Sequence, residues 1–170
     1  MKLDEEQTAH GLHHSRSPRG GGVQVNEMAI TKELTMARMP GTIFLAEDDD
    51  DMRSLIALSL QNDGYEVVEA KDGAELLDLL AGASSSPMRR PDIIVSDVLM
   101  PCYSGLGVLA ALHKSAWNVP VILITARRDE GVVKDAMRLG AAAVVHKPFD
   151  IDDLRTAILN VSIDNQLEAS

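Results

Sequence analysis

Cysteine is almost missing from this sequence: Cys102 is the only one in 170 residues. That excludes a disulfide framework and a cysteine-based zinc site. Aromatic residues are scarce as well, at 3%, so aliphatic side chains must do most of the packing. No apolar run approaches the length of a membrane span, and the N-terminus has no secretory apolar core. Positive charge is in deficit, with 16 Lys and Arg against 26 Asp and Glu, for a formal net charge of −10. Such a balance argues against a sequence-independent grip on nucleic acid or on an anionic membrane. These absences describe a soluble protein expected in the cytoplasm.

The residues that are present divide into two parts. Residues 1–40 are polar, contain Gly, Ser and Pro, and sustain neither a helical nor a strand period. They read as a mobile N-terminal extension. Its five basic residues (Lys2, Arg16, Arg19, Lys32, Arg38) balance five acidic ones (Asp4, Glu5, Glu6, Glu27, Glu33), so the net negative charge belongs to residues 41–170. His10, His13 and His14 read as solvated side chains, and Met28, Met36 and Met39 leave open a downstream start. A domain spans 41–163, and 164–170 form a short tail.

Within the domain, short apolar runs alternate with helical periods. "TIFLA" (42–46), "YEVVEA" (65–70), "DIIVS" (92–96), "PVILIT" (120–125) and "AAVVH" (142–146) are too short for helices and suit strands. Between them, Met52, Leu55, Ile56 and Ser59 share a helical face that ends at Gly64. "GAELLDLLAG" (73–82) forms a second helix, and Leu106, Leu109, Ala110 and Leu112 mark a third. Val133, Ala136, Met137 and Gly140 mark a fourth, and Leu154, Ile158 and Val161 a fifth. Five strands alternating with five helices predict an α/β fold with a parallel sheet covered on both faces. In such folds ligands gather beyond the carboxyl ends of the strands.

The polar residues fall where that rule puts a site. The first strand runs into Glu47 and Asp48, the third into Asp97, the fourth ends at Thr125, and the fifth leads to Lys147 and Pro148. Three carboxylates brought together repel unless a hard cation neutralises them, and Mg²⁺, with its preference for oxygen, suits the set. A carboxylate beside such a cation can attack phosphorus and become an aspartyl phosphate. The ammonium of Lys147 and the hydroxyl of Thr125 would then hold phosphoryl oxygens.

With those residues in order, the chain resembles the receiver domain of two-component response regulators, from about Thr42 to Val161. "FLAEDDDDMR" matches the family's acidic motif, "PDIIVSDVLMP" its phospho-acceptor motif, "VILITA" its Thr/Ala motif and "VVHKPF" its Lys-Pro motif. The resemblance implies a flavodoxin-like fold, a (βα)5 arrangement with a five-stranded parallel sheet of order 2-1-3-4-5. It implies Asp97 as phospho-acceptor, and Mg²⁺ held by Glu47, Asp48 and Asp97 with the backbone carbonyl of Leu99. Thr125 would be the switch hydroxyl, Lys147 the phosphate-binding cation, and the bond before Pro148 cis. A histidine kinase or histidine phosphotransfer protein would be the donor. A downstream effector protein would read the face of the fourth helix, fifth strand and fifth helix, where Val133, Met137 and Val144 lie. Only "SIDNQLEAS" comes after Val161, so a stand-alone receiver, not itself an enzyme, is expected, with no direct nucleic-acid or membrane contact.

Two positions depart from the family pattern: Glu47 stands where Asp is commoner, and Val144 where an aromatic ring is usual. The rest of the acidic run, Asp49 to Asp51, suits a helix start, with Asp51 as N-cap. Cys102 and His146 are expected to carry no chemistry. Leu99 and Arg127 are expected to flank the path of water to an aspartyl phosphate and to slow its loss. Other readings are a receiver-shaped binding module without phosphorylation, a phosphohydrolase using Asp97, and a flavodoxin-like cofactor carrier. The hydrolase lacks an acid–base group two residues after Asp97, and the carrier lacks a phosphate loop after the first strand.

Overall fold

The structure is a computed structural model, which describes residues 41–84, 90–115, 117–126 and 130–168. The expectations for residues 1–40 and for Arg127 lie outside the described residues. Five strands, β1 (Thr42–Ala46), β2 (Glu66–Ala70), β3 (Ile93–Asp97), β4 (Val121–Thr125) and β5 (Ala143–His146), form one parallel sheet. Their order is β2-β1-β3-β4-β5, as the flavodoxin-like reading requires. Five helices alternate with them: α1 (Asp50–Asn62), α2 (Gly73–Ser84), α3 (Gly105–Lys114), α4 (Glu130–Arg138) and α5 (Ile151–Glu168). The last helix runs on to Glu168, past the boundary at 163.

The alternation of side chains along β1 explains the layering. Ile43 and Leu45 point to one side, where Ile56, Ala57 and Leu60 of α1 meet Leu154, Ile158 and Val161 of α5. Phe44 and Ala46 point to the other, beneath α2, α3 and α4, where Leu76, Leu80, Val108 and Leu112 pack. Every residue of β3 and β4 is buried, because helices cover both faces of these central strands. Phe44 is the one aromatic in the buried core of the described residues, and aliphatic side chains fill the rest.

Three local expectations are corrected. The N-cap of α1 is Asp49 rather than Asp51: its backbone is extended, and its carboxylate accepts from the Met52 amide at 2.8 Å. Asp50 and Asp51 are therefore the first two helical residues, where negative charge complements the helix dipole. The buried face of α1 is Ile56, Ala57 and Leu60, and Leu55 is 57% exposed. Leu55 lies one residue, about 100° of helical rotation, before the row that meets the sheet. Finally, α4 ends at Arg138, and Gly140 lies outside it with φ +89°. Ala136 is the buried residue of that helix, whereas Met137 is 54% exposed.

Candidate functional site

Each strand delivers its polar residue to the same edge of the sheet. Glu47 extends β1 by one residue, its amide donating to the Ala70 carbonyl at 3.2 Å, which turns its side chain inward. Asp97 is the last residue of β3 and is nearly buried. Its Oδ1 accepts from the Leu99 amide at 2.8 Å, which fixes the carboxylate plane. Gly105, at the start of α3, makes this corner possible: a Cβ there would come within 2.4 Å of the Asp97 carbonyl oxygen. Thr125 closes β4, fully buried, and its carbonyl accepts from the Lys147 amide at 2.8 Å. Lys147 follows β5, and the Lys147–Pro148 bond is cis.

The side chains converge. Lys147 Nζ donates to both oxygens of Glu47, at 2.9 and 3.1 Å, and makes a close ion pair with Oδ2 of Asp97. Glu47 is fully buried and Asp48 exposed, yet Glu47, Asp48 and Asp97 each offer a carboxylate oxygen within 4.8 Å of the others'. Burial pushes the Glu47 carboxyl above its ordinary value, against the pull of Lys147, and the neighbouring Asp97 charge pushes the same way. For Lys147, burial works against the charge, but hydrogen bonds to Asp97 and Glu47 win and hold its pKa above the ordinary lysine value.

This arrangement fits a divalent cation. Three carboxylates face one ammonium, so ionisation leaves two negative charges unbalanced. All donors are hard oxygens, and Asp48, exposed at the mouth, is open to a metal that keeps part of its water shell.

Arg53 is the residue that sequence reasoning missed. Its guanidinium donates to the Glu47 carbonyl at 2.8 Å and pairs with Asp50 and, at 3.4 Å, with Glu69. It pins the turn that carries Glu47 and Asp48, and its charge is spent on that scaffold. A signal was present: a cation in the first turns of a helix opposes the dipole and calls for a partner. The other expected positions lie away from these contacts. His146 and Cys102 are exposed, Cys102 with φ +67°, and Val144 packs partly buried against the core beneath α3 and α4.

Comparison with known proteins agrees with this geometry. The response regulator receiver domain profile matches residues 43–159. The response regulator MprA of Mycobacterium sp. (strain KMS) is 35% identical over 116 residues, 68% of this chain and 48% of that protein. The transcriptional regulatory protein PdtaR of Mycobacterium tuberculosis is 34% identical over 123 residues, 72% of this chain and 57% of that one. The chain thus spans about half the length of these curated relatives. Among solved structures, a response regulator receiver domain protein from Clostridium thermocellum superposes with a TM-score of 0.67 at 28% identity, covering 75% of this chain and 98% of its own.

Proposed function

The chain belongs to the response regulator receiver domain family, and from that premise we propose that it is a phospho-acceptor whose Asp97 takes a phosphoryl group from a phosphohistidine. The donor is a histidine kinase or a histidine phosphotransfer protein. The observation that carries this reading is the convergence of Glu47, Asp48 and Asp97 within 4.8 Å, with Lys147 bridging two of them.

In the transfer, an oxygen of Asp97 attacks phosphorus in line with the scissile bond. The P–O bond forms as the P–N bond to the donor imidazole breaks, and the nitrogen leaves with the electron pair. No proton needs to be removed from the nucleophile, because Asp97 reacts as a carboxylate. Glu47, Asp48, Asp97 and the carbonyl of Leu99 would hold Mg²⁺, which supplies neutralisation of charge on the transferring phosphoryl oxygens. Lys147, already aimed at Asp97, holds one phosphoryl oxygen after transfer, and Thr125 closes on another.

Output passes through contact between proteins at the surface of α4, β5 and α5. Two features support that surface: the exposure of Met137, and a cavity of about 500 Å³ lined by Glu130, Val133, Lys134 and His146. The test uses phosphoramidate, a small donor with a P–N bond, together with Mg²⁺ and a measurement of released phosphate. Uptake of a single equivalent is expected. Sustained release would make the protein a hydrolase, and no uptake would make it a phosphorylation-independent binding module.

A further inference from the structure

A groove of about 640 Å³ runs along the edge strand β2 and helix α2, from Glu75, whose carboxylate accepts from the Lys71 amide, down to Thr42 at the start of β1. Its apolar lining includes Phe44, Val68 and Leu79, and its carboxylates are Glu66, Glu75 and Asp78. None of the described residues lining it is basic. Gly82 also lines it, in the last turn of α2. No close approach demands that glycine, since a Cβ there would meet nothing within 4 Å. What the missing side chain does is leave the groove open.

We propose that residues 30–39 of this same chain occupy the groove. Charge, apolar content and tether length select that segment. It carries Lys32 and Arg38 against the single Glu33, a positive excess that complements the three carboxylates. It carries Ile30, Leu34, Met36 and Met39 for the apolar lining. It is joined through Pro40 and Gly41 to Thr42, which itself lines the groove, so docking is intramolecular. Short tethers of this kind give effective concentrations on the order of millimolar, enough for a small contact to hold. An extended segment of that length reaches about 33 Å, longer than the roughly 18 Å of a helix the length of α2. By sequence alone the segment has no face to bury against; the groove provides one.

Trypsin cleavage of the full chain after Lys32 and Arg38 tests this, with cleavage after Arg16 and Arg19 in the same molecule as reference. Cleavage after Lys32 and Arg38 should be severalfold slower than at the same bonds in a synthetic peptide of residues 26–41, at every protein concentration. The double variant Glu66→Lys, Asp78→Lys should abolish that protection and leave cleavage after Arg16 and Arg19 unchanged. Gly82→Gln, which suits a helix and fills the groove, should do the same in a folded protein. Rates equal to the peptide's, or protection that survives both variants, would overturn the proposal. Protection that grows with protein concentration would also overturn it, by making the occupant a second copy.

Discussion

Glu47 is the residue on which the resting state turns. Its carboxylate is buried, next to another carboxylate, and the ammonium that partners it, that of Lys147, is shared with Asp97. Because its folded-state pKa lies above the ordinary 4.5, the folded protein binds that proton more tightly than the unfolded chain does. The stability it contributes is therefore present below pH 4.5 and is lost as pH rises through the folded pKa. Lys147 follows the same sign at higher pH: its pKa is raised too, so its contribution is present below 10.5 and is lost as pH rises through the folded pKa. In metal-free buffer, Glu47→Gln should flatten the fall in melting temperature as pH rises above 4.5. A fall of unchanged size in that variant would place the titrating group elsewhere. Leu99 bears on a different prediction. It is 46% exposed two residues after Asp97 and has no side-chain polar atom to orient water. Leu99→Asn should speed loss of the phosphoryl group after the donor is removed, because a positioned water attacks faster than a random one. Decay of phosphorylated protein over time is the measurement, and an unaltered rate would show that Leu99 does not control water access.

At the scale of elements, β1 and α1 show both what a sequence discloses and what it conceals. The strand is legible because "TIFLA" is apolar, β-branched and too short to be a helix, and it forms over those same five residues. The start of α1 is harder to place. Five consecutive acidic residues all suit a cap or a first turn, so composition offers no choice among them. The choice is made by backbone: Asp49 is extended, with its side chain over the Met52 amide. The helical phase is ambiguous at Leu55 because Leu55 and Ile56 are equally apolar, and only contact with the sheet decides between neighbours. Glu47, Asp48, Asp97, Thr125 and Lys147 are legible because strand ends in this fold share one edge. Arg53 is legible only in part: a cation in the first turns of α1 calls for a partner, but a bond to a backbone carbonyl leaves no motif that says which. Asp49→Ala should cost about 1 kcal/mol by removing the cap. Chemical denaturation would show it as a lower midpoint with an unchanged slope, and an undiminished midpoint would mean that Arg53 alone holds the turn.

At the scale of the whole molecule, one edge of the sheet gathers charge and the helices around it carry the consequence. Thr125 connects the two: it ends β4, is fully buried, and its carbonyl accepts from the amide of Lys147 at 2.8 Å. Val144 in β5 is aliphatic and packs partly buried against the core, so it supplies no ring to report the state of Thr125. Thr125→Ala should still accept a phosphoryl group at Asp97. The change in amide exchange across residues 130–146 on phosphorylation should shrink in that variant, since ligand-driven shifts require a differential contact. An undiminished change would assign the coupling to another residue.

The central claim is that Asp97 is the nucleophile of a metal-assisted phosphoryl transfer, and intact-mass measurement of the full chain after acetyl phosphate treatment tests it most directly. The account predicts one added phosphoryl group in the presence of Mg²⁺, and none in Asp97→Asn or after chelation of the metal. A phosphoryl group that persists in Asp97→Asn, or a natural chain that stays unmodified with Mg²⁺ present, would contradict it.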